Sequence, residues 1–110
     1  MINRLFALIL FAGQAMNLQE KPVVHLKPHT DLIRTEFRGS LVELSQAPPV
    51  VHLPAPPPKP DADGNQWTVD VKNFGPAPVN VVDNGTFSAQ VGVNQTIHIN
   101  SNGSKFILKH

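Results

Sequence analysis

"QWTVDVKNFGPAPVNVVDNGTFSAQVGVNQTIHINSNGSKFILK" spans residues 66–109, and its period of two decides the fold class. Trp67, Val69 and Val71 fall on one side of an extended chain, with Thr68, Asp70 and Lys72 on the other. Val79 and Val81 repeat the pattern, as do Phe87, Ala89 and Val91, then Ile97 and Ile99, then Phe106 and Leu108. Alternation of this kind is what a sheet with one buried face requires, because successive side chains leave a strand on opposite sides. The breaks between runs carry turn chemistry. Asn84-Gly85 and Asn102-Gly103 are the dipeptides that best tolerate the positive φ angles of tight hairpins, and Gly75, Pro76 and Pro78 suit a loop. The expectation is an all-β fold, a small antiparallel five-stranded meander with strands near 66–73, 78–82, 86–91, 95–100 and 104–108. It either curls into a barrel or forms half of a sandwich.

Upstream lies "PPVVHLPAPPPKPDADGN", residues 48–65, which contains seven of the eleven prolines. Proline fixes φ and removes a donor, so Pro56–Pro58 reads as extended polyproline II, and the stretch as a proline-rich spacer. Residues 16–47 are ambiguous. Ile33, Phe37, Leu41 and Leu44 approximate helical spacing, but Gly39 interrupts it. Two short strands about a turn at Arg38–Ser40 are the favoured reading. "PVVHLKP" at 22–28 is echoed by "PVVHLP" at 49–54, which suggests two short proline-bounded edge strands. The start, "MINRLFALILFAGQA", has one cation, an apolar run at Leu5–Ala12 and small residues at Gly13 and Ala15. That is the layout of a secretory signal peptide over 1–15, and it predicts a secreted or periplasmic protein. The run is far short of the ~20 residues a spanning helix needs, so no integral membrane span is expected in the mature chain. The domain reading is therefore signal peptide, mixed short segment, spacer and a β-module over 66–110. About 44 residues make a thin core, which calls for help from residues 23–53 or from a second copy.

Composition narrows the chemistry. The 110 residues carry nine Lys or Arg against eight Asp or Glu, and no cysteine. Disulfides, cysteine-ligated metals and thiol nucleophiles are excluded. The basic residues are isolated along the chain, and the aromatics share parity with the valines, so neither a basic patch nor a stacking platform for nucleic acid emerges. None of the serines Ser40, Ser45, Ser88, Ser101 and Ser104 lies in a nucleophile elbow. His25, His29 and His52 offer a metal set, and Asp61 with Asp63 a fragment of a calcium loop. Neither has the accompanying ligands. No catalytic residue, metal ligand or cofactor is expected. His98, Asp70 and Lys72 stand on the polar parity of their strands and are the candidate interaction positions. Three Asn-x-Ser/Thr sequons begin at Asn84, Asn94 and Asn102, all at expected turns.

"WTVDVKNFGPAPVNVV" resembles the opening strands of immunoglobulin-like adhesion and export modules. "GTFSAQVGVNQTIHINSNGSKFIL" resembles the terminal β-meander of phage-tail and other surface-exposed structural proteins. The resemblance rests on turn chemistry and alternation within 44 residues and carries no functional residue onto this chain. It implies a structural or interaction module. The expected function is an exported, non-catalytic β-module acting by contact with a protein partner or by self-association, without nucleic acid. The alternatives are a structural subunit of a phage or cell-surface assembly, and a carbohydrate or small-ligand binder. The last would show Trp67 or a phenylalanine exposed beside polar groups.

Overall fold

The computed structural model describes residues 21–109; the signal-peptide reading of 1–15 lies outside them. Eight strands form two mixed sheets, with no α-helix among the described residues. In chain order they are β1 (Val23–His25), β2 (Ser40–Leu44), β3 (Val50–His52), β4 (Trp67–Asn73), β5 (Val79–Val82), β6 (Ser88–Val91), β7 (Thr96–Ser101) and β8 (Phe106–Lys109). The first sheet runs β1-β2-β4-β7-β8 and the second β3-β5-β6. The sheets share one core. Val42, Leu44, Trp67, Val69, Val71, Ile97, Ile99 and Phe106 come from the first, and Val51, Val79, Val81, Ala89 and Val91 from the second.

The all-β expectation and the facing of the alternating residues are met, but the meander is not. β4 pairs with β7, from Trp67↔Ser101 to Lys72↔Thr96, and makes no pair with β5. The β5–β6 hairpin belongs to the other sheet. Nor is the ladder purely antiparallel: β1 with β2, β2 with β4, and β3 with β5 all run parallel. The sheets do not close into a barrel. The reason is burial. A single 44-residue meander would leave its apolar face uncovered. Dividing it lets Val79, Val81, Ala89 and Val91 cover Val69, Val71, Ile97 and Ile99. At about 25 cal/mol for each Å² of apolar surface removed from water, that mutual cover decides against the simpler path.

Both hairpin turns form where expected, the second with the expected positive φ at Gly103 and the first without one at Asn84 or Gly85. Asp83 Oδ1 accepts from Gly85 N at 2.8 Å and Phe87 N at 3.0 Å, and Asn102 Oδ1 accepts from Ser104 N at 2.8 Å and Lys105 N at 3.0 Å. Gly103 has φ +94, a conformation side chains rarely adopt. The repeated Val-Val-His segments become β1 and β3, each the first strand of its sheet and each parallel to its neighbour. β3 thus lies within the proline-rich stretch. Further along, Pro54 and Pro58 are buried, and Ser101 Oγ donates to Pro58 O at 2.7 Å. Arg38 clasps the same segment, donating to Lys59 O at 2.7 Å. In the middle segment Ser40–Leu44 is a strand, whereas Thr35–Phe37 is one turn of 3₁₀-helix. Trp67 is fully buried and its Nε1 donates to Thr35 O at 2.8 Å. Its ring meets Phe106 edge-on with centroids 5.9 Å apart.

Candidate functional site

The three sequence candidates lie together on the outer face of the first sheet. β4 contributes Asp70 and Lys72, and β7 contributes His98. Register places Val23, Leu41, Asp70, His98 and Lys109 in one row across the five strands. Asp70 is the centre of that row. Its Oδ1 lies 2.6 Å from His98 Nδ1, and its Oδ2 accepts from Lys21 Nζ at 2.6 Å. The Asp70 side chain is 13% exposed, against 52% for His98. Burial raises the Asp70 pKa, but the hydrogen bonds from Lys21 and His98 outweigh it and hold the carboxyl below its ordinary 3.8. The adjacent row repeats the motif: His25 Nδ1 lies 2.7 Å from Glu43, and Lys72 stands across from Glu43 in register. Lys72 itself caps the exposed Phe74 ring at 4.6 Å from its centroid.

Chemically, Asp70 can fix the orientation of the His98 ring, as a carboxylate does in a catalytic triad. The companions of His98 on this face are Thr68, Lys72, Thr96, Asn100, Ile107 and Lys109, and the ring stands half in water on an open sheet. Solvent screens electrostatic work in such a place. The arrangement is a polar row centred on Asp70 that fastens the chain just before β1 to β4 and β7. Parity located Asp70 and His98 in the sequence. Lys21, 49 residues from Asp70, left no sequence signal.

The other polar candidates disperse. His25 lies on the edge of one sheet and His52 on the edge of the other. Asp61 Oδ1 accepts from Asp63 N and Asn65 N, both at 2.9 Å, so that carboxylate shapes its own turn. No group of three His, Asp or Glu side chains converges among the described residues. A cavity of about 500 Å³ opens at the end of the molecule between Pro48, Pro49, Pro76 and Pro78. Its one buried polar side chain, Asn73, is occupied by the protein itself. Nδ2 donates to Ala77 O at 2.8 Å and Val91 O at 3.1 Å, and Oδ1 accepts from Gly75 N at 2.8 Å.

The feature that sequence reasoning missed is a difference between the two flanks, where the edges of the two sheets face each other. On the β1/β3 flank, residues 26–37 cross from one sheet to the other. Asp31–Ile33 runs beside β3: His52 N donates to Asp31 O at 2.7 Å, and Ile33 N donates to His52 O at 2.8 Å. Ile33 is fully buried in the shared core, with Leu26 and Phe37 packed against it. The β6/β8 flank has no such strap among the described residues. Two hollows of about 440 and 510 Å³ run along it, sharing Ser88 and Leu108. Backbone groups are open there as well. Asp83 N donates to Phe87 O and Asn102 N to Lys105 O, which fixes the alternation of each hairpin. By that alternation Ser88 and Gln90 on β6, and Phe106 and Leu108 on β8, turn their N–H and C=O groups away from the one strand that pairs with each among the described residues.

Comparison of the chain with protein-family models, with curated proteins and with solved structures finds no match.

Proposed function

We propose that this chain is an exported, non-catalytic β-module that works by protein–protein contact, and that the β6/β8 flank is the surface it uses. The open flank carries the reading. The same fold closes its opposite flank with an extended segment of its own chain, through main-chain hydrogen bonds and one buried isoleucine. The β6/β8 flank offers the same two things, unpaired main-chain groups and an apolar floor. An exposed edge of this kind is a template for strand addition. Export rests on the signal-like start of the sequence, and the thin cysteine-free core gives a partner something to stabilise.

Two measurements on the full chain test the reading. Intact mass of the chain recovered after secretion should show residues 1–15 removed; retention of them ends the export argument. Amide hydrogen exchange should leave Ser88, Gln90, Phe106 and Leu108 fast while the amides of β4 are slow. Slow exchange at those four positions means that the flank is already closed, and the contact surface is then elsewhere.

A further inference from the structure

We infer that the β8 edge accepts an extended segment of a partner protein that carries acidic residues four positions apart and apolar residues between them. The inference rests on the proposed role of the open flank and names the chemistry of what fills it. Phe106 and Leu108 direct their side chains inward and their free main-chain groups along the sheet plane. Lys105, Ile107 and Lys109 have the outward parity. Both lysines are exposed, and neither meets a carboxylate among the described residues. A strand added antiparallel to β8 places one residue opposite each of these five positions. Opposite Lys105 and Lys109 a carboxylate is favoured. Opposite Leu108, a valine-sized side chain enters the hollow above Ala89 and Ile97, and opposite Phe106 one enters the hollow beside Phe87 and Ser88.

The same lysines argue against a second copy of this edge. Symmetric antiparallel pairing of two β8 strands about Ile107 sets Lys105 of each, just before the strand, opposite Lys109 of the other, two like-charge pairs within the stretch 105–109. The strap on the other flank shows the mode within the molecule: an extended segment with its apolar residue inward and its backbone on the neighbouring strand.

The test titrates the full chain with a fluorophore-labelled peptide Glu-Val-Thr-Val-Glu with blocked ends, next to Lys-Val-Thr-Val-Lys and to an acidic version N-methylated at both valines. Binding is read by anisotropy and by the exchange of the Phe106 and Leu108 amides. The expected result is about tenfold preference for the acidic peptide over the basic one, protection of those two amides, and loss of both with the N-methylated peptide. Lys105→Glu with Lys109→Glu should reverse the preference. Equal binding of acidic and basic peptides, binding that survives N-methylation, or no binding while the two amides exchange fast overturns the inference and leaves the open-flank reading standing. Amides already slow without peptide overturn both. Light scattering then distinguishes closure by a second copy from closure by residues 1–20 of the same chain.

Discussion

At the β1/β3 flank, the edges of the two sheets are joined by residues 26–37, and Ile33 has no exposed surface. At the β6/β8 flank the edges face each other across hollows, and Leu108 and Phe87 are half-buried. The same two sheets thus end in two ways, and the contrast separates what a sheet interior supplies from what a flank must be given. Interior strands satisfy their backbone from both sides. An edge strand needs a third element, from the chain or from outside it. The largest effect should come from breaking the closed flank. Ile33→Ala removes the strap's anchor and should cost about 2–4 kcal/mol in denaturant unfolding, whereas Leu108→Ala on the open flank should cost about 1 kcal/mol. Equal costs would mean that the two flanks are energetically alike.

With no strap, β6 is held to the first sheet by the shared core and by a polar stitch. Asn73, the last residue of β4, is fully buried and donates to Val91 O at 3.1 Å. Asn73→Ala leaves the Ala77 and Val91 carbonyls and the Gly75 amide without their side-chain partner, a loss of about 2–3 kcal/mol. Hydrogen exchange should show where it falls: β5 and β6 amides should lose protection before those of β1 and β2. Uniform loss would place the stitch in the global fold and not in the open flank.

These two positions also mark where the sequence is legible. Alternation identified Trp67–Val71, Val79–Val81 and Ile97–Ile99 as strands with an inward face, and the Asn-Gly pairs located both hairpin turns, although only Gly103 takes the positive φ that was the reason for expecting them. Pairing is not local. Nothing in Val69 or Val79 says that they belong to different sheets; that follows from which division covers the apolar faces. Val50–His52 was legible as a short edge strand, since proline is excluded only from the strand interior, but its parallel partner Val79–Val82 was not. The strap has no strand periodicity: Leu26, Ile33 and Phe37 reach the core at irregular spacing, and only Ile33 is fully buried. The candidate site divides in the same way. Asp70 and His98 were legible by parity, their pairing by register was not, and Lys21 arrives from a part of the chain with no pattern of its own.

A smaller effect is expected at Asp70, where the Lys21 ion pair ties the chain just before β1 to β4 at 2.6 Å. The folded-state pKa of this carboxyl is depressed, so its contribution is full above the ordinary value of 3.8 and disappears as pH falls below that through the folded value. Asp70→Asn should lower stability at pH 7 by about 1 kcal/mol and leave a shallower decline as pH falls below 3.8. Thermal melts across that range read both. Parallel declines in the two proteins would assign acid sensitivity to other carboxylates. Exchange at β1 should rise in the variant while β6 and β8 stay unchanged, because the row strengthens the strapped side of the sheet.

The least effect on stability should come from the lysines of β8, and it bears on the contrast most directly. Lys105 and Lys109 are exposed, so Lys105→Ser with Lys109→Ser should leave unfolding within about 0.5 kcal/mol of the parent. The edge itself should change. With the charges gone, Ile107 becomes the centre of an unguarded strand whose free main-chain groups suit a second copy, and concentration-dependent dimers should appear in light scattering. A matching pair of substitutions on the closed flank, Lys27→Ser with Arg34→Ser, should leave the chain's oligomeric state unchanged, since the β3 backbone there is already taken by Asp31 and Ile33. Dimerisation in both variants would trace association to net charge, and in neither would show that the lysines do not guard the edge. Dimerisation of the β8 variant alone ties the open flank to its lysines, because the matched substitutions on the closed flank remove the same number of cations without effect.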